Sequence, residues 1–326
     1  MSVLALRSLH PNDLDRISEI ESRIAGRPRK AFFEKRLAVA TATPESFITC
    51  AALDGEKVVG YGFARLQAGE FGATRPVAVL DVIGVDPDVQ GKGIGKAVLS
   101  GIEQRMEKKG IDTLGTQVAW TDHAMSGFLS SMGFNLAPSR IMERDTSPLE
   151  EKITEVSPVK MDSVWRVHGP GGDDYSRLSR DKFLVRSLRE EDLSAVVRID
   201  NKLTGRDNSS YYELKFREML VETGIRVSLV AENSESVAGF IMARLDYGEY
   251  GKADQAAVID IIGVHPVFKG TGVAHALLSQ LLINLSNLMV DSVRTQVSWK
   301  NFDLQQFLYA KGFAPSQRLV LLKTRK

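Results

Sequence analysis

The chain has 326 residues, 43% hydrophobic and 25% charged, and its 42 Lys and Arg offset 41 Asp and Glu to a net charge of +1. So even a balance supplies no basic field for nucleic acid and no acidic tail, and the length suits two domains of about 150 residues, each with its own core. A lone cysteine, Cys50, excludes an internal disulfide. No apolar run approaches the roughly 18 residues of a membrane helix, and no leader-like segment precedes the first element. A reducing cytoplasm is the expected setting, with neither membrane nor nucleic acid as partner.

In chain order, a short strand (Ala5–Leu9) meets Pro11-Asn-Asp, a helix start, and an apolar-periodic segment. A second helix is predicted over about 29–40 after Gly26-Arg27, then strands over about 47–53 and 57–66 joined by Asp54-Gly55, a strong hairpin signal. A Gly-Glu-Phe-Gly loop at 69–72 leads to a strand Val77–Val85, and a glycine-rich turn leads to a helix with Ile94, Val98, Leu99, Ile102 and Met106 on one face. A strand Thr113–Trp120, a helix ending before Gly133-Phe134 and a last strand over about 139–145 follow.

Then the whole order recurs. Gln90 falls on Lys269, an offset of 179 residues, and at that offset VLDVIGVDPDVQGKGIGKAVL aligns on VIDIIGVHPVFKGTGVAHALL without a gap. The register extends to the helix at about 209–222, the strand Ser292–Trp299 and a last strand over about 317–323. A long period repeated twice means two domains, not a solenoid. Residues 1–146 and 183–326 are the expected units. Between them, 147–182 reads as a linker carrying Pro148, Pro158 and Gly169-Pro-Gly-Gly-Asp-Asp, with Val164–Val167 as a docking strand.

The turn after the Val77–Val85 strand, Gln90-Gly-Lys-Gly-Ile-Gly95, opens a helix and so presents unpaired backbone N–H groups to an anion. Neither the P-loop nor the dinucleotide fingerprint fits its spacing. A tight strand–helix turn with purely geometric glycines is the competing explanation.

The Q-x-x-G-x-G pattern after Val-Asp-Pro, with the downstream strand, helix and Gly-Phe, resembles the GNAT acetyltransferase superfamily in both copies. The resemblance implies an α+β fold of two tandem domains, each a mixed, mostly antiparallel sheet flanked by helices. It further implies acetyl-CoA as cofactor and acetyl transfer to an amine-bearing small molecule or peptide. The amides of Gln90, Gly91, Lys92, Gly93, Ile94 and Gly95 would hold the pyrophosphate, and Ile83 and Val85 would offer main-chain groups to the acetyl carbonyl and pantetheine. Lys269, Gly270, Thr271, Gly272, Val273 and Ala274, with Ile262 and Val264, would do the same in the second copy, where Asn301 matches a further cofactor-side position that is Asp122 in the first.

The family's usual acid and base are missing. Leu129 and Leu308 stand where many members place a tyrosine, and Gln117 and Gln296 where some place a glutamate. Asp81 and Asp260, in otherwise apolar strands, are the candidate proton-handling residues, placed by strict alternation on the face of Ile83 and Ile262; Glu70 and Glu249 are second choices. A carboxylate that pins the strands is the alternative. Arg27 and Arg206 border the expected acceptor side, Trp120 and Trp299 are read as core or pocket wall, and no metal site is expected. The rival reading is an acyl-CoA-binding regulatory or scaffold protein with silent domains.

Overall fold

The computed structural model describes residues 4–26, 29–67, 70–72, 75–149, 183–217, 227–233, 236–246 and 256–325. The first copy comprises β1 (Ala5–Arg7), α1 (Leu14–Ala25), α2 (Lys30–Ala42), β2 (Phe47–Asp54), β3 (Lys57–Gln67), β4 (Val77–Val85), α3 (Ile94–Lys108), β5 (Thr113–Ala119), α4 (His123–Ser131), β6 (Asn135–Leu136) and β7 (Ser139–Asp145). The second comprises β8 (Leu184–Ser187), α5 (Leu193–Thr204), α6 (Ser209–Arg217), β9 (Leu229–Asn233), β10 (Ser236–Asp246), β11 (Ala256–Val264), α7 (Val273–Asn287), β12 (Ser292–Ser298), α8 (Phe302–Ala310), β13 (Ala314–Pro315) and β14 (Arg318–Thr324). Residues 150–182, including the expected strand Val164–Val167, lie outside the described residues.

Local chemistry explains the element boundaries. Asp13 takes the His10 amide at 2.7 Å and both terminal nitrogens of Arg7, which ties β1 to the start of α1. Asp192 repeats this with Arg189 and Arg186. Gly26 and Gly205, at φ 70° and 69°, end α1 and α5 in the left-handed region. Asp54-Gly55 makes the expected hairpin between β2 and β3, with Asp54 opposite Lys57.

Two seven-stranded sheets result, ordered β1-β2-β3-β4-β5-β14-β6 and β13-β7-β12-β11-β10-β9-β8. The last strand of each copy therefore completes the sheet of the other. All seven residues of β14 pair with β5, Arg318 opposite Ala119 through Thr324 opposite Thr113, and all seven of β7 pair with β12. The repeat alone predicts units 1–146 and 183–326, each closed by its own last strand; the structure exchanges those strands. Compact packing follows the exchange: one unit is Met1–Asp145, Arg244–Ile261 and Val290–Lys326, the other Thr146–Ala243 and Ile262–Met289.

Within the first unit two cores flank the first sheet. α3 lays Ile94, Val98, Leu99, Ile102 and Met106 on Ile48, Cys50, Leu80 and Leu114. On the opposite face Ile17 and Ile20 of α1 and Phe33 and Leu37 of α2 cover Ala51, Tyr61, Phe63 and Val82. Each such buried side chain contributes roughly 1.5–3 kcal/mol. In the second unit Val196, Ile199, Tyr212 and Phe240 are buried, the last two edge to face at 6.0 Å.

Candidate functional site

A split in each sheet frames the site. β4 and β5 are parallel, and their pairing ends at Leu80 opposite Thr116, where Thr116 Oγ1 donates to the Leu80 carbonyl at 2.9 Å. β11 and β12 end likewise at Ile259 opposite Thr295, with the same 2.9 Å bond. Beyond that rung lie Ile83 and Val85, and Ile262 and Val264, so their strand edges lead from the split to the glycine turn.

The turn has the geometry an anion needs. Gly91 and Gly93 adopt φ 77° and 80°, conformations that other residues rarely hold, and a Cβ on either would meet nothing within 4 Å. The space beside both is open, and the α3 amides that follow have no intrahelical acceptor. Gln90 anchors the turn, its Nε2 donating to the Val85 carbonyl at 3.2 Å. Gly270 and Gly272, at φ 81° and 100°, reproduce the path. There the amides of Lys269 and Thr271 donate to the Pro266 and Phe268 carbonyls at 3.2 Å each; among the described residues the first turn makes no corresponding bonds. Ala274 replaces Gly95 at a tolerant place, since a Cβ at Gly95 would touch Phe128 at 3.4 Å and Val85 at 3.7 Å. Asn301 caps α8 by accepting from the Leu304 amide, and Asp122 caps α4 in the same way.

Asp81 is buried, but not on the face that alternation assigns. Val82 pairs with Phe63 and Leu80 with Ala64, so Asp81 is the extra residue of a bulge. Ile83 and Val85 consequently pack toward α3, whereas Asp81 turns toward α2, its carboxylate 3.5 Å from both Arg36 and Arg65. Asp260 sits equally deep, 3.2 Å from Arg244 Nε. Glu70 is buried, and its short 3-10 turn packs against β12. Arg206 is exposed after α5; Arg27 and Glu249 lie outside the described residues. The exchange also gathers buried arginines: burial, then Arg318, Arg244 and Arg65, push Arg294 down to about 10 against the pull of Glu143.

A buried carboxylate–phenol pair stands beside the first sheet, unmarked by any motif in the sequence. Tyr61 Oη donates to Glu21 at 2.5 Å, and Arg29 donates to the other Glu21 oxygen at 2.7 Å. Burial, then the Glu21 charge, push the Tyr61 phenol well up. Its ring lies against Gly84, where a Cβ would be 2.6 Å away. In the second copy Asp200 occupies the Glu21 position and Asn208 donates to it at 2.6 Å. Tyr212 of α6 lies near that carboxylate, burial and then the Asp200 charge raising its phenol, and Phe240 takes the Tyr61 position. The signal was present as a buried-looking acid at one position in both copies, but the phenol changes its place in the chain and so defeats alignment.

Leu129 and Leu308 are core residues. Tyr309 faces outward and stacks on Arg140 at 5.0 Å. Trp120 and Trp299, expected as core or pocket wall, are 56% and 49% exposed, because both lie just past the strand ends. Gln296 donates to Ser139 at 2.9 Å. No cluster of metal-ligating side chains occurs among the described residues, and no described helix is long and apolar enough to cross a membrane.

A split sheet whose strand leads to a left-handed glycine turn and helix, built twice, defines an acetyltransferase of the GNAT kind. The Acetyltransferase (GNAT) family model matches residues 14–134 and 186–313, and the chain belongs to that family. It is 32% identical over 127 residues to the [ribosomal protein bS18]-alanine N-acetyltransferase of Escherichia coli, covering 37% of this chain and 86% of that one. Its fold is similar over 99% of the chain to the tandem GNAT protein of the clavulanic acid biosynthesis pathway, at TM-score 0.62 and 17% identity, covering 98% of that chain. A fungal protein described as a glucosamine N-acetyltransferase region of a multi-domain GH3 beta-N-acetylglucosaminidase matches at TM-score 0.63 and 13% identity, and the chain spans 38% of its length.

Proposed function

We propose that the chain binds acetyl-CoA at both glycine turns, more tightly at the first, and transfers the acetyl group directly to an amine of a small molecule or peptide in a ternary complex. The observation that carries this is the open, left-handed Gln90–Gly95 turn standing at the mouth of the split between β4 and β5. Acetyl-CoA supplies the activated thioester. The amides of residues 90–95 would hold its pyrophosphate, and the Ile83 and Val85 main chain would align the acyl carbonyl and pantetheine arm. Gly84 keeps the strand flat against Tyr61. In the second copy residues 269–274, Ile262 and Val264 take these roles, with Asn301 at the cofactor side.

The incoming amine must shed a proton. Asp81, held between two guanidinium groups, is suited to orient a water for that purpose rather than to take the proton by direct contact, and Asp260 would act likewise. Glu70 and Glu249 remain the second choices, and Arg27 and Arg206 the acceptor-side cations.

Thiol release from acetyl-CoA over an amine panel (polyamines, amino acids, aminoglycosides and a peptide with N-terminal alanine), together with calorimetric counting of CoA sites, tests the proposal. Turnover on at least one amine is expected. CoA bound at both turns without turnover on any amine would favour the regulatory reading, which the buried Leu129 and Leu308 support. Asp81→Asn should lower turnover by about 10²-fold with CoA affinity nearly intact. Matching losses of stability and CoA binding would assign the carboxylate to pinning the bulge.

A further inference from the structure

At the far end of α3 from the glycine turn, a cavity of about 540 Å³ opens between the end of α2, the start of β2 and the last turn of α3. Fifteen residues of helix separate Gly93 from Lys108, so the two places are about 22 Å apart. The volume lies within the range of small-molecule sites, roughly 300–1,000 Å³.

Its lining is chemically one-sided. Arg105, Lys108 and Lys109 contribute three cations, and among the described residues that line it there is no carboxylate. In a chain whose net charge is +1, that concentration is local. Buried Leu37, Phe47 and Ile48 form an apolar wall beside the cations. The Arg105 guanidinium is held in place by the Gly101 carbonyl at 2.7 Å, and Lys109 Nζ by the Pro44 and Glu45 carbonyls at 3.2 and 3.1 Å. These acceptors are main-chain groups, so neither cation is neutralised by them. Lys108 is exposed and makes no hydrogen bond or ion pair with the described residues.

A helix C-terminus attracts cations on dipole grounds alone, and the second copy tests whether that accounts for them. α7 ends at the same place in the repeat with Asn284, Asn287 and Leu288 at the positions of Arg105, Lys108 and Lys109. The same helix end, carrying the same dipole, is there finished without a cation. What distinguishes the first copy is thus the charge gathered at this cavity, not a requirement of the fold.

We propose that this cavity of the first copy is a second ligand site for a small amphipathic anion: a carboxylate or phosphate on an apolar body. The anion faces the end of α3, and the apolar body lies on the Leu37, Phe47 and Ile48 wall. The site is separate from the glycine turns and does not depend on the acetyl-transfer reading.

The test is calorimetry on the full chain with its glycine turns saturated by CoA, titrating phenyl phosphate, 4-phenylbutyrate and, as the probe without an apolar body, inorganic phosphate. Binding of at least one amphipathic probe, with one site per chain and at least about tenfold tighter than inorganic phosphate, is expected. Lys108→Glu reverses an exposed charge, and Thr41→Trp places an indole in the mouth from an exposed position; each should weaken binding at least about tenfold. Asn287→Glu, at the matching place in the second copy, should leave it unchanged. No heat from either amphipathic probe at millimolar concentration, undiminished binding in both first-copy variants, or an equal loss in Asn287→Glu would each overturn the proposal.

Discussion

In the first copy the corner between β4 and its glycine turn is braced by Asp86, which accepts from Arg16, from Arg23 at 2.7 Å and from the Asp88 amide at 3.2 Å. At the same corner of the second copy stands His265, its Nε2 2.8 Å from Lys202 Nζ, a contact that only an unprotonated Nε2 can accept. Burial, then Lys202 and Arg198, hold that imidazole below its ordinary value. Yet the two turns trace the same path, with paired glycines at positive φ. The backbone route is therefore set by the glycines and the helix start, while the electrostatic brace beneath it can be exchanged. Anything that depends on the path should survive in both copies, and anything that depends on charge should separate them.

The largest test of that comparison removes one copy from the other. Residues 1–146 made alone lack β14, the partner of all seven residues of β5, and 183–326 lacks β7. Neither piece should show the cooperative thermal transition of the full chain as a monomer, as read by circular dichroism and sedimentation. Two monomeric pieces melting like the parent would show that the exchange is dispensable.

Next in size is the corner itself. Asp86 is buried and its arginines are partly exposed, so Asp86→Asn should cost about 2 kcal/mol in denaturant unfolding, less than a fully buried pair. His265→Asn should stay within about 0.5 kcal/mol at pH 8. The pH dependence has one sign in both copies, loss of stability on acidification, but differs in cause and in pH window. Burial raises Asp86, but the Asp88 amide and the two arginines outweigh it and leave the carboxyl lowered. Its contribution is complete above the unfolded value near 3.9 and is lost only as pH falls through the lower folded value. His265, depressed in the fold, is protonated first in the unfolded chain, so its copy loses stability as pH falls below about 6.5. Melts between pH 5 and 8 should show a slope that His265→Asn removes and Asp86→Asn leaves.

Gly93→Asp sets a carboxylate where the pyrophosphate is expected and should weaken CoA at the first site at least tenfold, about 1.4 kcal/mol. Gly272→Asp should do the same at the second site alone. Unchanged affinity in both would sink the assignment of the turns. The smallest effect belongs to Gly95→Ala: the new methyl meets Phe128 at ordinary contact distance, so helix stability should rise by about 0.5–1 kcal/mol with CoA affinity held within about threefold.

Much of this was legible in the sequence because it is local. The hairpin at Asp54-Gly55, the apolar face of α3 and the glycine turns each follow from a few adjacent residues, and the repeat confirmed them twice. The exchange of β7 and β14 was not legible, for the repeat makes β5 and β12 almost equally good hosts for either last strand. The face of Asp81 was misread for a related reason: a bulge inserts one residue into β4, and a period of two cannot survive an insertion that leaves no mark in composition. Tyr61 and Tyr212 show a third limit, since the phenol that lies beside Glu21 or Asp200 is supplied from different elements.

The exchanged strands also bear on how the chain comes to be folded during synthesis. β5 is made two hundred residues before β14, and until Arg318–Thr324 has been made, the first sheet has an unpaired β5 edge able to recruit another chain. β7, made early, has to wait for β12. The first copy is in this sense a partner in waiting for the second, and a truncation before Ala314 would affect both sheets, the first by the loss of β14 and the second by the loss of β13.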